Sequence, residues 1–184
     1  MDAASRKLVA LEERWGAPNY APLPVLLCRA RGPYAWDLSG RRYLDCLSAY
    51  AALNQGHLHP RIVAAARRQL RRLTLTSRGF HNDLLGPFLE RLCRLSRAEM
   101  ALVMNTGAEA VETAVKGMRL WGHRVKGIPD GRQVIIAAEG NFHGRTTTLV
   151  SFSTEPKSLA GFRPATPGFK TVPFGDAAAL ARAL

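Results

Sequence analysis

Apolar and polar residues follow a helical spacing at the start of the chain. Leu8, Leu11 and Trp15 lie three or four positions apart, and this spacing predicts a short amphipathic helix over residues 5–15. Turn residues then separate three short apolar runs. These runs predict a small antiparallel meander with strands at residues 25–29, 34–37 and 42–45.

Beyond residue 60, helical and strand-like segments alternate. Pro60 suits the first turn of a helix, and further helical faces predict helices at residues 84–95, from Gly107 to about 125, and from Asp176 onward. Short apolar runs predict buried strands at Ala101–Met104, 133–138 and 170–173. This βαβ alternation predicts an α/β fold with a three-layer domain. We therefore expect an N-terminal segment over residues 1–60 and the first part of a large α/β domain over residues 61–184.

The composition is that of an ordinary globular protein and excludes several classes. Of the 184 residues, 47% are hydrophobic and 22% are charged, which argues against a disordered or collagen-like chain. No apolar run reaches the roughly 20 residues that a membrane span needs. The first fifteen residues lack the apolar core of a signal peptide. We therefore expect a cytoplasmic protein without a membrane partner.

Charge and cysteines refine this picture. The formal net charge is +12, but the arginines are spread along amphipathic stretches without interleaved aromatic residues. This pattern favours solvated helix faces over a nucleic-acid surface.

Three widely spaced cysteines predict buried free thiols in a reducing compartment, and their spacing from the histidines predicts no metal site. They are Cys28, Cys46 and Cys93.

The sharpest local motif is Asn105-Thr106-Gly107-Ala108-Glu109, where a predicted strand meets a predicted helix. Free backbone N–H groups at a helix N-terminus bind phosphate, and Gly107 would let the backbone approach closely. The spacing Thr106-x-x-Glu109 is also that of a capping box, which needs no ligand. On spacing alone the capping box is the stronger interpretation, and the two are compatible.

A second polar turn, residues 140–146, follows the next predicted strand. Ligands of α/β sheets sit beyond the carboxyl ends of the strands, where both turns lie. Phe142 offers a flat face for a planar ring, His143 a hydrogen-bonding ring, and Arg145 a bidentate fork for a carboxylate. A mobile surface loop explains this turn about as well.

Two tyrosines are further candidates. Tyr20 lies in a proline-rich, stiff loop, and Tyr50 precedes the polar segment Asn54-Gln-Gly-His57. Spacing alone explains each of them equally well as a core tyrosine.

Six segments together resemble a known family. In chain order they are Tyr20-Ala-Pro-Leu-Pro-Val25, Tyr43-Leu-Asp45, Asn54-Gln-Gly-His-Leu-His-Pro60, Leu73-Thr-Leu-Thr-Ser-Arg78, Met104-Asn-Thr-Gly-Ala-Glu109 and Asn141-Phe-His-Gly-Arg-Thr146. The chain is similar to the ornithine aminotransferases among the class-III aminotransferases. These are enzymes of fold type I that depend on pyridoxal 5′-phosphate (PLP) and act as homodimers. The resemblance extends over the N-terminal part of the family's longer chain.

The resemblance implies a set of cofactor-binding residues. Thr106, Gly107 and Ala108 would bind the PLP phosphate, and Phe142 would stack on the pyridine ring, with His143 beside it. His143 departs from the ornithine branch, where tryptophan is usual, whereas histidine is common in other class-III members.

The resemblance also implies the substrates and the reaction. Arg145 would hold the α-carboxylate of L-ornithine, Tyr20 would contact its α-amino group, and Tyr50 would shape the pocket. The δ-amino group would pass to 2-oxoglutarate, giving glutamate semialdehyde and glutamate.

The lysines limit what we expect of this chain. None of the five lysines lies in the sequence context of the family's Schiff-base lysine. We therefore expect a truncated N-terminal part that is inactive alone. Two alternatives stay open: an acetylornithine or 4-aminobutyrate aminotransferase, and a non-catalytic fragment that binds a full-length subunit or RNA.

Overall fold

The predicted N-terminal helix forms, and the meander follows it. In the computed structural model, which describes residues 1–184, the chain divides into two units, Met1–Asp83 and Leu84–Leu184. The helices of the first unit are α1 (Ala3–Trp15) and α3 (Pro60–Leu70), and between them lies α2 (Ser48–Ala51), a single left-handed turn. Its strands are β1 (Leu27–Arg31), β2 (Tyr34–Asp37) and β3 (Arg42–Leu44), which pair antiparallel in that order. The predicted helix, meander and Pro60 helix are therefore confirmed.

Side chains of the first unit explain where its elements begin and turn. The Asp2 carboxylate accepts the N–H of Ser5 at 2.7 Å and caps α1. The Asp37 carboxylate accepts from the N–H of Arg41 at 2.9 Å and from the Tyr43 hydroxyl at 2.8 Å, which closes the turn between β2 and β3. These bonds use local polar groups, so the meander needs little core, and Ala35 is its one buried apolar residue.

The second unit is an α/β arrangement around a pair of parallel strands. Its strands are β4 (Ile135–Ala138) and β5 (Phe169–Val172), paired in register from Ile135 opposite Phe169. Its helices are α4 (Leu85–Ser96), α5 (Gly107–Arg124), α6 (Thr147–Val150), α7 (Pro156–Leu159) and α8 (Ala177–Ala183). The buried apolar residues are Val115, Leu149, Val150, Phe152 and Val172. This core lies where α5 and α6 meet the strands.

Two sequence-based predictions are wrong. Residues Ala101–Met104 form no strand, because β4 and β5 pair with each other and no strand of this chain lies beside them. Leu102 is accordingly 65% exposed. The cysteines are free, as predicted, but Cys28 and Cys46 are exposed because they lie at the surface of the meander and of the chain after it.

Two further observations concern the whole chain. None of the eight helices has both the length and the apolar character needed to cross a membrane. The large domain that we expected from residue 61 stays a prediction. α3 belongs to the first of the two compact units.

Candidate functional site

The first turn of α5 is a complete capping box. The Thr106 hydroxyl accepts the N–H of Glu109 at 3.1 Å, and the Glu109 carboxylate accepts the N–H of Thr106 at 3.1 Å. The same carboxylate accepts the N–H of Asn105 at 2.9 Å. The capping interpretation is therefore confirmed, and it satisfies three backbone donors with two side chains.

Two donors at this helix end are left over. The N–H groups of Gly107 and Ala108 donate to no atom of the protein. Gly107 is exposed, and a Cβ added to it would meet nothing within 4 Å. Adjacent free amides at the start of an 18-residue helix carry a positive partial charge. The capping box thus leaves room for an anion rather than competing with it.

The polar turn after β4 is held by Asn141. Its side-chain amide donates to the carbonyl oxygens of Ala138 at 2.7 Å and Phe152 at 3.0 Å. Both amide hydrogens are then used, so the amide oxygen, 3.0 Å from His143 Nδ1, must accept from that nitrogen. The His143 ring also lies 5.2 Å from the Phe152 ring. The contacts of Asn141 and His143 favour an ordered turn over the mobile-loop alternative.

The two turns meet at Gly144. Its φ is +131°, and a Cβ there would lie 2.7 Å from Leu149 Cδ1 and 3.0 Å from Ala108 Cβ. Glycine therefore permits the close approach of this turn to the start of α5. A hydrogen bond of 2.5 Å from the Thr146 hydroxyl to the Glu112 carboxylate, one helical turn beyond Ala108, ties the same two segments together. Phe142 lies two residues before Gly144 on this turn and is 76% exposed.

Three positioning residues were missed by the sequence analysis: Glu112, Asn141 and Gly144. The spacing of Glu112, four residues after Ala108 on one helical face, was a usable signal. Asn141 and Gly144 lay inside a recognised motif. Their partners are 11 and 36 residues away in the chain, and no local pattern reveals contacts of that range.

Tyr20 and Tyr50 come together in the first unit. Their hydroxyl groups are hydrogen bonded to each other across 30 residues of sequence. The side chains are 53% and 70% exposed, so the interpretation as core tyrosines is wrong. Two phenolic oxygens at one exposed place can bind an ammonium group, because each keeps lone pairs for a further hydrogen bond.

The second unit has the features of an enzyme that binds a phosphorylated, ring-containing cofactor. Free amides begin a helix, and the turn that approaches this helix start carries an exposed aromatic ring at Phe142, followed by Arg145. The comparison with known families agrees: the model described as "Aminotransferase class-III" matches residues 15–183. The chain belongs to the class-III aminotransferase family, whose members depend on PLP.

Named relatives are similar over nearly the whole chain. It is 55% identical over 174 residues to an ornithine aminotransferase of Bordetella pertussis, covering 95% of this chain and 42% of that one. A crystal structure of the ornithine aminotransferase from Toxoplasma gondii matches with a TM-score of 0.94 and 40% identity, covering 97% of this chain and 42% of that one. The acetylornithine aminotransferase of Elizabethkingia anophelis matches with a TM-score of 0.81 and 49% identity, covering 97% and 43%. The chain thus spans less than half the length of these relatives, and its fold is that of the PLP-dependent class-III aminotransferases.

The residues present fit PLP. Its phosphate is an acceptor for the two free amides of Gly107 and Ala108, and Thr106 precedes them. Its pyridine is planar and matches the exposed face of Phe142. The Gly144 contact brings the turn that carries Phe142 against the start of α5.

Proposed function

We propose that this chain provides cofactor- and substrate-binding residues of an ornithine aminotransferase. The whole enzyme would transfer the δ-amino group of L-ornithine to 2-oxoglutarate and release glutamate semialdehyde and glutamate. The observation that carries the proposal is the pair of free amides at Gly107 and Ala108, facing the turn that holds Phe142. The named ornithine aminotransferases at 50–55% identity support the choice of amine.

The cofactor-binding residues act by position and charge. The N–H groups of Gly107 and Ala108 would donate to the phosphate, and Thr106 keeps the helix start in shape for them. Phe142 would stack on the ring, while His143 fixes the turn through Asn141. When bound, PLP withdraws electron density from the carbon that carries the substrate nitrogen.

Each substrate residue supplies one kind of contact. The Arg145 guanidinium offers two parallel N–H donors to a carboxylate. Tyr20 and Tyr50 offer hydroxyl oxygens to the α-ammonium group and shape the pocket around it.

We infer that none of the five lysines links the cofactor at residues 105–109, which we call the phosphate turn. Lys116 lies nine residues along α5 from Gly107, a rise of roughly 14 Å. Lys126 lies just beyond the end of α5, and its ammonium stands 5.1 Å from the Trp121 ring centre. Lys7 belongs to the first unit, and Lys157 and Lys170 lie on α7 and β5. We infer that the 184-residue chain by itself turns over no substrate.

A second candidate function has its own support. His143 stands where the ornithine branch usually has tryptophan, and the acetylornithine aminotransferase of Elizabethkingia anophelis is 49% identical to the chain. Acetylornithine has no α-ammonium group, so it needs no oxygen pair such as that of Tyr20 and Tyr50. Saturation-transfer NMR on the chain should therefore favour ornithine, and stronger binding of acetylornithine would favour the second candidate.

We also propose that the chain takes part in a homodimer, as its family resemblance implies. Large apolar side chains lie at the surface of both units; examples are Leu75, Met100 and Phe174, which are 84%, 89% and 87% exposed. Such side chains are typical of surfaces that pack against other protein.

Removal of one amide tests the phosphate site. Proline is tolerated at the first helical position, and Thr106 already has the extended backbone that a following proline requires. Gly107→Pro therefore deletes one N–H and leaves the helix in place. Loss of a hydrogen bond to a charged group costs roughly 1.5–3 kcal/mol, so we expect binding of pyridoxamine 5′-phosphate to weaken about 10- to 100-fold.

Pyridoxamine 5′-phosphate suits this test because it has no aldehyde to react with surface lysines. Gly107→Ala is the matched control, since it keeps the N–H and its Cβ meets open space. It should bind like the parent chain. Equal binding by Gly107→Pro, or no saturable binding by the parent chain, would contradict the proposed function and favour a fragment that acts by protein binding alone.

A further inference from the structure

The turn that carries Tyr50 opposes the preference of its own backbone. Ser48, Ala49, Tyr50 and Ala51 have φ values of +47°, +49°, +57° and +65°. Consecutive left-handed residues without glycine are unfavourable, because each Cβ crowds the neighbouring carbonyl oxygen. Such conformations persist where surrounding contacts impose them, and they cluster at functional sites. Here the unusual backbone coincides with a proposed substrate-binding tyrosine.

Asp45 supplies the contacts at the start of this turn. One carboxylate oxygen accepts the N–H of Leu47 at 3.0 Å and that of Ser48 at 2.8 Å. The other lies 2.7 Å from His57 Nε2. The Asp45 and His57 side chains are 17% and 28% exposed, so both are largely shielded from water. These hydrogen bonds also hold the pKa of the Asp45 carboxyl below its ordinary value.

His57 is itself fixed to the meander. Its N–H donates to the Gly32 carbonyl oxygen at 2.9 Å, and its own carbonyl oxygen accepts the Gly32 N–H at 2.9 Å. The preceding Gly56 has φ +78°, and a Cβ there would lie 3.0 Å from the Gly32 oxygen. The Asp45 carboxylate therefore connects residues 48–51, which we call the tyrosine turn, to a rigid point between β1 and β2.

We propose that the Asp45–His57 pair is a positioning element that holds the left-handed turn and keeps the Tyr50 hydroxyl against that of Tyr20. The inference rests on the proposed function in so far as these two tyrosines bind the substrate. Asp45 and His57 act through Tyr50 and touch no substrate themselves.

Fluorine NMR can test this on the chain alone. The chain has four tyrosines, so labelling with 3-fluorotyrosine gives one fluorine environment each for Tyr20, Tyr34, Tyr43 and Tyr50. In the parent chain, Tyr20→Phe removes the hydroxyl contact and should shift the Tyr50 resonance. In Asp45→Ala and in His57→Ala, the same Tyr20→Phe change should no longer shift it.

Conservative variants distinguish positioning from general loosening. Asp45→Asn keeps an oxygen for the amides of Leu47 and Ser48, and His57→Gln keeps a donor for Asp45, so each should retain part of the Tyr20 effect. Asp37→Ala is the matched control. It removes a carboxylate of the meander that accepts from Tyr43, and it should shift the Tyr43 resonance while leaving the Tyr20 effect intact.

Two results would overturn the proposal. One is a full Tyr20 effect in both alanine variants. The other is its loss in Asp37→Ala as well, which would indicate loosening of the whole unit. Unshifted Tyr34 and Tyr43 signals would show that an alanine variant is folded. If an alanine variant fails to fold, the Asp45→Asn and His57→Gln variants decide the question. The experiment contains neither cofactor nor substrate, so failure of pyridoxamine 5′-phosphate binding would refute the proposed function and leave this inference standing.

Discussion

Two of the turns that carry candidate functional residues reach their geometry in opposite ways. The turn at Thr106 follows the intrinsic preference of the backbone: an extended N-cap precedes a regular helix. The turn at Tyr50 opposes that preference with four left-handed residues in succession. The first needs one local capping box, whereas the second depends on Asp45 and on His57 twelve residues away.

This difference predicts which changes each of the two turns tolerates. In the proposed function, phosphate would be recognised by backbone groups, whose direction the helix fixes regardless of side chains. The proposed recognition of an amine by Tyr20 and Tyr50 would rely on side chains, so the backbone beneath Tyr50 would have to be placed individually. We expect the phosphate turn to fail through packing or capping defects, and the tyrosine turn to fail through loss of a single carboxylate.

The largest expected effect is at Gly144, where the turn of residues 140–146 meets the phosphate turn. Gly144→Ala should lower the free energy of unfolding of the second unit by about 3 kcal/mol, because overpacking and a positive φ act together. Urea unfolding monitored by Trp121 fluorescence, with Trp15 and Trp36 replaced by phenylalanine, measures this. Gly107→Ala in the same background has open space for its Cβ and should cost little; equal costs for the two would refute the close contact.

A smaller effect is expected from the capping box. Thr106→Ala removes the acceptor for the Glu109 N–H and should cost about 1 kcal/mol in the same unfolding assay. Thr106→Ser keeps the oxygen and should restore most of the loss. If the serine variant is as unstable as the alanine variant, the hydroxyl bond is not what stabilises this helix start.

The smallest expected effect is a local change in the tyrosine turn when the Asp45 carboxylate is protonated at low pH. The N–H of Ser48, the His57 ring and the N–H of Leu47 all stabilise the charged form of Asp45, so its pKa lies below the ordinary value of 3.8. A lowered pKa means that the stabilisation is complete above that ordinary value and is lost as the pH falls through the lowered one. The amide proton shifts of Leu47 and Ser48 should therefore change together in that range. Their independence from the Asp45 titration would contradict the carboxylate contacts.

The sequence predicted most helices and strands because their signals are local. Apolar spacing marked α5, and Pro60 marked the first turn of α3, and both formed where expected. The run Ala101–Met104 misled us because a strand requires a partner, and apolar character alone does not supply one. The left-handed turn was invisible for a related reason: Ser48, Ala49 and Tyr50 have no intrinsic preference for positive φ, and the contacts that impose it come from Asp45 and His57.

Candidate site residues were found through motif resemblance, whereas the contacts that hold them were not. Phe142 and Gly107 stand in recognisable motifs. Glu112 and Asn141 act on those motifs through bonds whose lengths and partners only a folded chain defines. The roles assigned to the eight cofactor- and substrate-binding residues stay predictions until the binding measurements are made.

The Asn141 amide also decides the polarity of His143. Because its oxygen accepts from Nδ1, that nitrogen carries a hydrogen, and Nε2 is the ring atom left for a ligand. The family resemblance implies tryptophan at this position in the ornithine branch, and an indole N–H can only donate. An imidazole Nε2 without a proton can only accept. A ligand atom that donates a hydrogen could therefore bind to His143 but not to a tryptophan at this position.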